Sequence, residues 1–335
     1  VLADQRLAGL NFTGSTDTFQ SLWLRMAQNI SHYKSYPRIV GETGGKEYVF
    51  MHASAGVAET AVAIVRAGYE YQGQKCSACS RVYAPRSKWH ALKTTLLSMI
   101  NKIKVGTVMD FSNFINAVID ERAFGKIMGY IDKANASEYT EIIAGGSGDK
   151  SKGYYIEPTL IVTKDPSFIT MEEEIFGPVV TVYIYDDRAY ESTLELCDQT
   201  SPYGLIGSIF ANDRTAVALA EKKLSNTAGN FYINDKPSGA VVGQQPFGGS
   251  RASGTNDKAG SYLNLARWTT IRTIKENFSP PTDFRYSFMD AAYPYQQVAR
   301  VEWCQVEDMP DMVRLEQENQ FKAVFAAGVV FCYDP

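Results

Sequence analysis

A short apolar run ends in Leu10-Asn11-Phe12-Thr13 and is followed by Gly14-Ser15-Thr16. Phe19, Leu22, Trp23, Met26, Ala27 and Ile30 then recur at helical spacing, so one face of that segment is apolar. Strand, Gly-Ser-Thr turn and amphipathic helix make one half of a βαβ unit. The alternation continues along the chain. A helix is expected over residues 57–69, with Val57, Ala61, Ile64, Val65 and Gly68 on one face and a stop before Gly73. Arg81-Val82-Tyr83-Ala84 reads as a strand closed by Pro85. Residues 88–135 read mostly as helix, interrupted near Gly106, and residues 141–164 as strand and turn around the Gly145-Gly146-Ser147-Gly148 loop. Residues 179–185 are a β-rich run, 190–197 and 216–224 look helical, and 231–234 form a short strand. Strands alternating with helices define an α/β protein. Residues 237–260 are glycine-rich and aperiodic, which marks a long functional loop.

Composition removes several function classes. With 335 residues the chain has room for roughly two domains of about 150 residues each. A net charge of −4 argues against a nucleic-acid binder working by bulk electrostatics. No apolar run approaches the ~18 residues of a membrane span. Five cysteines do not make a disulfide framework and suit a reducing compartment. The chain begins with Val1 and shows no basic-then-apolar leader. The segment 291–335 carries three basic and seven acidic residues, whereas the rest of the chain is balanced. It therefore reads as a different kind of sequence, joined after Pro280-Pro281.

Four places could carry chemistry. Cys76 lies in Gly73-Gln74-Lys75-Cys76-Ser77-Ala78-Cys79. Zinc needs further paired ligands, and His32, His52 and His90 are unpaired, so no metal site is expected. A glycine-rich approach, an adjacent Lys and small residues afterwards suit an exposed, electropositive thiolate nucleophile; a buried free Cys is the bland alternative. Glu42 sits in Gly41-Glu42-Thr43-Gly44-Gly45-Lys46, where flanking glycines allow close backbone approach, and a carboxylate held near a Cys could act as a general base. Gly14-Ser15-Thr16-Asp17-Thr18 opens a helix and is either a phosphate cradle or an ordinary N-cap turn. Glu172-Glu173-Glu174-Ile175-Phe176-Gly177-Pro178 is a charged turn or holds a carboxylate for a ribose diol.

Their order and spacing resemble the aldehyde dehydrogenase superfamily from about Leu7 to Ile274, with Pro246-Phe247-Gly248-Gly249 as a fifth block. The stretches 229–236 and 243–258, with Cys76-Ser77-Ala78-Cys79-Ser80-Arg81, look like the Δ1-pyrroline-5-carboxylate (L-glutamate γ-semialdehyde) dehydrogenase branch. The resemblance implies an aldehyde dehydrogenase fold and NAD-dependent oxidation of L-glutamate γ-semialdehyde to glutamate. Cys76 would be the nucleophile and Glu42 the activator of hydrolytic water. Gly14, Ser15, Thr16, Asp17 and Thr18 would lie along the coenzyme phosphates. Glu174 would hold the nicotinamide ribose, with Phe176 beside it. Ser77, Gly239 and Ala240 would hold the substrate α-carboxylate, and Phe247 would pack on its aliphatic chain. Some family members carry Ser where this chain has Ala240.

The resemblance also implies a largely complete catalytic domain over residues 44–250 and a truncated, Rossmann-like coenzyme domain. Residues 1–43 would be the remnant of that domain. Residues 251–290 would return to it and add an oligomerisation strand near 268–275, and 291–335 is an unassigned tail. Family analogy implies a homo-oligomer in the mitochondrial matrix, with no nucleic-acid partner. The family's earlier coenzyme strands, its adenosine-binding Lys and its oxyanion Asn have no counterpart here. An inactive fragment, or an aldehyde dehydrogenase for another substrate, are the alternatives. On this reading the strand at Leu10–Thr13 lacks partners, and the isolated chain binds NAD+ very weakly. Calorimetric titration with hydrogen exchange tests this: micromolar binding with strong protection across residues 1–40 would contradict it.

Overall fold

The computed structural model describes residues 1–241 and 243–286, together with the backbone of three strands between 314 and 331. Residues Val1–Thr270 form one compact unit and Ile271–Pro335 a second. The division drawn from the sequence at residues 43 and 250 is a functional proposal within the first unit.

The first unit opens with β1 (Gly9–Thr13), α1 (Thr16–Gln28) and β2 (Arg38–Glu42). β1 does have a partner: it pairs in parallel with β2, Thr13 opposite Glu42, which corrects the expectation of an unpaired strand. The strand is paired because α1 and the stretch after it carry the chain back, so that β2 lies parallel beside it. The helix buries Phe19 and Met26, and Phe19 stacks on Phe12 at 5.9 Å between centroids. Trp23 and Leu24 on this helix remain exposed, as does Ile30 just beyond it.

Next come β3 (Glu47–Met51), α2 (Val57–Tyr69), β4 (Cys79–Pro85), α3 (Arg86–Ile100) and α4 (Glu121–Ala136). They are followed by β5 (Thr140–Ala144), the paired short strands β6 (Gly148–Asp149) and β7 (Tyr155–Ile156), β8 (Thr159–Thr163), α5 (Ile169–Glu172) and β9 (Val179–Tyr185). Then come α6 (Tyr190–Gln199), β10 (Tyr203–Gly204), β11 (Ile206–Phe210), α7 (Arg214–Lys223), β12 (Asn230–Ile233), β13 (Ser250–Arg251) and α8 (Tyr262–Arg267). The helical reading of 88–135 was too generous: residues 101–120 are loop, closed by Asn113 and Asn116 side-chain hydrogen bonds to the carbonyls of Thr107 and Gly106.

Seven strands make the central sheet in the order β12-β11-β3-β4-β9-β8-β5, parallel except for the β5 edge. All five residues of β3 are buried, as a strand covered on both faces must be. One face packs Ile64 of α2 and Leu92 and Leu96 of α3 against Val49, Val82 and Val182. The other packs Tyr190, Leu194 and Val217 against Phe50 and Tyr83. This doubly covered, mostly parallel sheet is the α/β architecture that the alternation implied.

Residues 252–255 stitch the small β1–β2 sheet to the rest. Thr43 donates its amide to Ser253 O at 3.0 Å and its hydroxyl to Ala252 O at 2.6 Å, and the Thr255 amide donates to Gly41 O at 2.9 Å. No regular strand forms over residues 268–275. In the second unit, β14 (Arg314–Glu316), β15 (Lys322–Ala326) and β16 (Val329–Phe331) form an antiparallel sheet. Apart from these backbones, the tail 291–335 lies outside the described residues. Among the described residues, no helix is long and apolar enough to cross a membrane.

Candidate active site

β2 runs into β3 through Thr43-Gly44-Gly45-Lys46, and β4 is preceded by the Cys76 turn. The carboxyl ends of β1 and β2 therefore face the amino ends of β3, β4 and β9. Carboxyl ends of strands are where open α/β sheets receive ligands. A cavity of about 740 Å³ lies there, lined by Thr13, Gly14, Ser15, Thr43, Gly44, Cys76, Ser77, Glu174 and Phe176, among others. Six of the residues singled out from the sequence thus meet in one place: Gly14, Ser15, Cys76, Ser77, Glu174 and Phe176.

The glycines at 44 and 45 permit this convergence. A Cβ at Gly44 would lie 2.7 Å from Glu174 Oε2, and one at Gly45 would collide with the Cys76 carbonyl and the Glu47 carboxylate. The Gly45 amide instead donates to Glu174 Oε1 at 2.9 Å, which fixes that carboxylate at the cavity wall. The approach to Cys76 is itself unusual. Tyr71, Gln72 and Gly73 have φ values of 55°, 60° and 65°, three successive left-handed residues. Two of them are not glycine, and such conformations cost of order 1–3 kcal/mol each unless the surroundings enforce them. Here the buried Gln72 side chain accepts from the Asn116 amide at 3.1 Å and donates to Ala117 O at 3.3 Å.

The electrostatics of the thiol differ from the expectation. Cys76 is half-buried, and the adjacent Lys75 does not activate it. Burial, then the carboxylates of Glu47, Glu174 and Glu42, push its pKa up to about 12. Lys75 does not offset them, because its ammonium is paired with Glu70 at 3.1 Å. Sequence proximity placed a cation beside the sulfur, but the turn aims it elsewhere. Cys79 is fully buried at the start of β4, also pushed up to about 12 by burial.

Glu42 ends β2 and stands outside the cavity lining, yet its charge acts on the Cys76 thiol. Both carboxylate oxygens are buried without a hydrogen-bond partner. The Gly249 amide lies near enough to favour the ionised form but does not close a bond of normal geometry. Burial raises Glu42 to about 7, against the Gly249 amide and Lys258, which lower it. A carboxylate poised near neutrality and lacking a partner is suited to accept a proton from water.

The remaining residues divide. Ser15 caps α1, accepting from the Thr18 amide at 3.3 Å, so the ordinary N-cap reading holds for this pair without excluding a ligand on the turn. The Thr16 hydroxyl accepts from the Gly44 amide at 3.3 Å and donates to Ala252 O at 3.3 Å, which makes it a brace between segments. Asp17 and Thr18 are exposed on the first turn of α1. Gly239, Ala240 and Phe247 also lie outside the 740 Å³ cavity lining. Gly239 is left-handed at φ 77°, and Phe247 is half-buried and bridged to Ala259. Ser238, two residues before Ala240, has a buried hydroxyl without a partner.

Sequence reasoning missed several cavity residues. Arg122 and Lys126 lie one turn apart on α4 and put two cations on the cavity wall, a spacing that was legible. Lys126 also donates to the Glu174 carbonyl at 2.9 Å. Lys258, outside the cavity lining and held against Gly229 O at 2.5 Å, acts on Glu42 from within the aperiodic loop. Among the described residues no cluster of His, Cys, Asp or Glu could hold a metal ion.

Comparison with known proteins gives the family of the chain. The aldehyde dehydrogenase family model matches residues 1–274, and the chain belongs to that family. Within it, the chain is 56% identical over 288 residues to the mitochondrial Δ1-pyrroline-5-carboxylate dehydrogenase of Dictyostelium discoideum, covering 85% of this chain and 52% of that protein. It is 48% identical over 290 residues to the human mitochondrial protein of the same name, covering 86% and 52%. The crystal structure of the Mycobacterium tuberculosis Δ1-pyrroline-5-carboxylate dehydrogenase superposes with a TM-score of 0.80 at 48% identity, covering 86% of this chain and 53% of that one. A second structure of that protein contains bound NAD. The chain spans about half the length of the curated relatives it matches.

The Glu42 environment makes a stability prediction. Its folded pKa is raised above the unfolded value, so the stability cost is absent at low pH and grows as pH rises from about 4.5 through about 7. Glu42→Gln should therefore be more stable than wild type in urea denaturation at pH 8, with the difference vanishing below about pH 4.5. A constant difference across that range would contradict the buried, partnerless placement.

Proposed function

We propose that the protein carries out NAD-dependent oxidation of L-glutamate γ-semialdehyde to L-glutamate, within proline catabolism. The observation that carries this reading is the grouping of Cys76, Glu42 and Glu174 around Gly44-Gly45, in a chain about half identical to enzymes of that name.

The residues present suit the nicotinamide half of the coenzyme. Glu174 keeps Oε2 free of the Gly45 amide that holds Oε1, so a ribose hydroxyl could donate to it. Phe176, left-handed at φ 62° and 43% exposed, offers an apolar face on the cavity wall. Gly14 and Ser15 border the same cavity at the start of α1, where backbone amides favour phosphate. Arg122 and Lys126 add positive charge. NAD+, when bound, supplies the hydride acceptor.

Cys76 Sγ attacks the aldehyde carbon and forms a thiohemiacetal whose oxygen becomes negative. Loss of hydride from that carbon leaves a thioester on Cys76. Glu42 takes a proton from water, the hydroxide adds to the thioester carbon, and the C–S bond breaks to release the carboxylate. Burial, and after it the nearby carboxylates, keeps the thiol protonated at rest, so the thiolate must be generated as substrate and coenzyme arrive. Ser77 beside the nucleophile and the Gly239-Ala240 loop receive the α-carboxylate, and Phe247 packs on the methylenes. Ala240 supplies no hydroxyl, which leaves backbone amides and the unpaired Ser238 hydroxyl for that contact.

We further place the protein in the mitochondrion, as the names of its relatives suggest, with the matrix as the compartment that family analogy implies. It is a homo-oligomer, with Ile271 and Ile274, 91% and 74% exposed, as apolar candidates for self-association.

A site built around an anion loses binding steeply when the anion is absent. In the complete protein, kcat/KM for glutamate γ-semialdehyde should exceed that for butyraldehyde by about 100-fold or more. Equal efficiency on the two would point to an aldehyde dehydrogenase for another substrate.

A further inference from the structure

Glu70 is the C-cap of α2, at the entry to the left-handed turn of residues 71–73, and has no role in the steps above. Its carboxylate gathers three cations. Oε1 accepts from Arg66 Nε at 2.9 Å, and Oε2 from Lys75 Nζ at 3.1 Å and Lys236 Nζ at 2.9 Å. Arg66 is the ordinary neighbour, one helical turn back. The other two come from opposite sides of the chemistry. Lys75 precedes the nucleophile Cys76, and Lys236 lies three residues before Gly239 in the loop assigned to the substrate carboxylate. A Cβ on Gly239 would lie 3.2 Å from the Lys236 ammonium, so that loop folds back over the lysine.

We propose that Glu70 is a positioning residue that ties the nucleophile turn to the carboxylate-receiving loop and so fixes the reach of the site for an aldehyde carrying a distant carboxylate. The proposal rests on the substrate reading above. Three features argue for it. The carboxylate and both lysine side chains are 20–28% exposed, so the contacts are shielded more than an ordinary surface pair. Lys75 and Lys236 share one oxygen, so the two segments are joined through a single atom. Both segments also begin with conformations that need restraint: Tyr71 and Gln72 on one side, and Asn234 at φ 56° on the other. Burial would raise the Glu70 carboxyl, but hydrogen bonds from Lys236, Lys75 and Arg66 outweigh it and hold it at about 2, so the tie is charged throughout the physiological range.

Glu70 touches no reacting atom. It also neutralises two lysines that would otherwise compete for a substrate carboxylate, one of them adjacent to the nucleophile. Without Glu70, a bifunctional substrate gains a wrong docking point beside Cys76 and loses the correct spacing to the loop. A monofunctional aldehyde is indifferent to both changes.

The test compares glutamate γ-semialdehyde with butyraldehyde in the complete protein. Glu70→Gln should raise KM for the semialdehyde roughly tenfold while leaving KM for butyraldehyde within about twofold. Lys236→Met should shift the semialdehyde in the same direction. A merely structural role would lower the active fraction, and hence kcat, for both substrates alike. Hydrogen exchange gives an activity-free readout: residues 236–241 should exchange faster in Glu70→Gln than in wild type. Parallel KM changes for both aldehydes, or unchanged exchange at 236–241, would overturn the proposal. A wild type that does not prefer the semialdehyde would defeat the substrate reading itself, and exchange at 236–241 then decides the tie alone.

Discussion

The site depends on the absence of two side chains. Where β2 passes into β3, the backbone of Gly44 and Gly45 runs between the Cys76 turn and the Glu174 carboxylate, close enough that a Cβ on either residue would meet one of them. That passage puts Glu42 on one side of the crossing and the thiol on the other. It also lets the Gly45 amide hold Glu174 directly. Bulk at these positions would push apart the two sheets whose ends define the cavity.

Charge follows from this compression. Glu47 and Lys46 are fully buried beside the crossing, and Arg81 donates from β4 to Lys46 O at 2.8 Å and to Cys197 O at 3.1 Å. Burial raises Glu47 well above the usual carboxylate range and lowers Lys46 to about 7. The Lys46 ammonium has no hydrogen-bond partner among the described residues. Such a cluster is a poor source of stability. Burial is the larger cause of the raised pKa at Cys76 and the neighbouring carboxylates add to it, so the resting thiol is protonated.

Much of this was legible in the sequence wherever a signal was local. The Gly-Ser-Thr turn, the glycines around Glu42 and the motif at Cys76 marked residues that the fold brings to one cavity. The α/β architecture followed from alternating periodicity. What was not legible depended on partners distant in sequence. The partner of β1 lies beyond a helix and a turn-rich stretch, so nothing local announces the pairing. The neighbour of Lys75 in sequence is the nucleophile, while the neighbour of its ammonium in space is Glu70. Residues 101–120 carry enough apolar side chains to imitate a helix, although Val108, Met109 and Phe111 are exposed in a loop. The surroundings of Glu42 include Gly248 and Gly249, some 200 residues away, and no local pattern announces them.

The division of labour between Cys76 and Glu42 is the centre of the account. It is tested most directly by trapping the covalent intermediate. In a complete protein carrying Glu42→Gln, incubation with NAD+ and glutamate γ-semialdehyde followed by peptide mass spectrometry should find a glutamyl thioester on Cys76, accumulated because its hydrolysis is slowed. An adduct on Cys79, or an unmodified Cys76 alongside undiminished steady turnover, would contradict it.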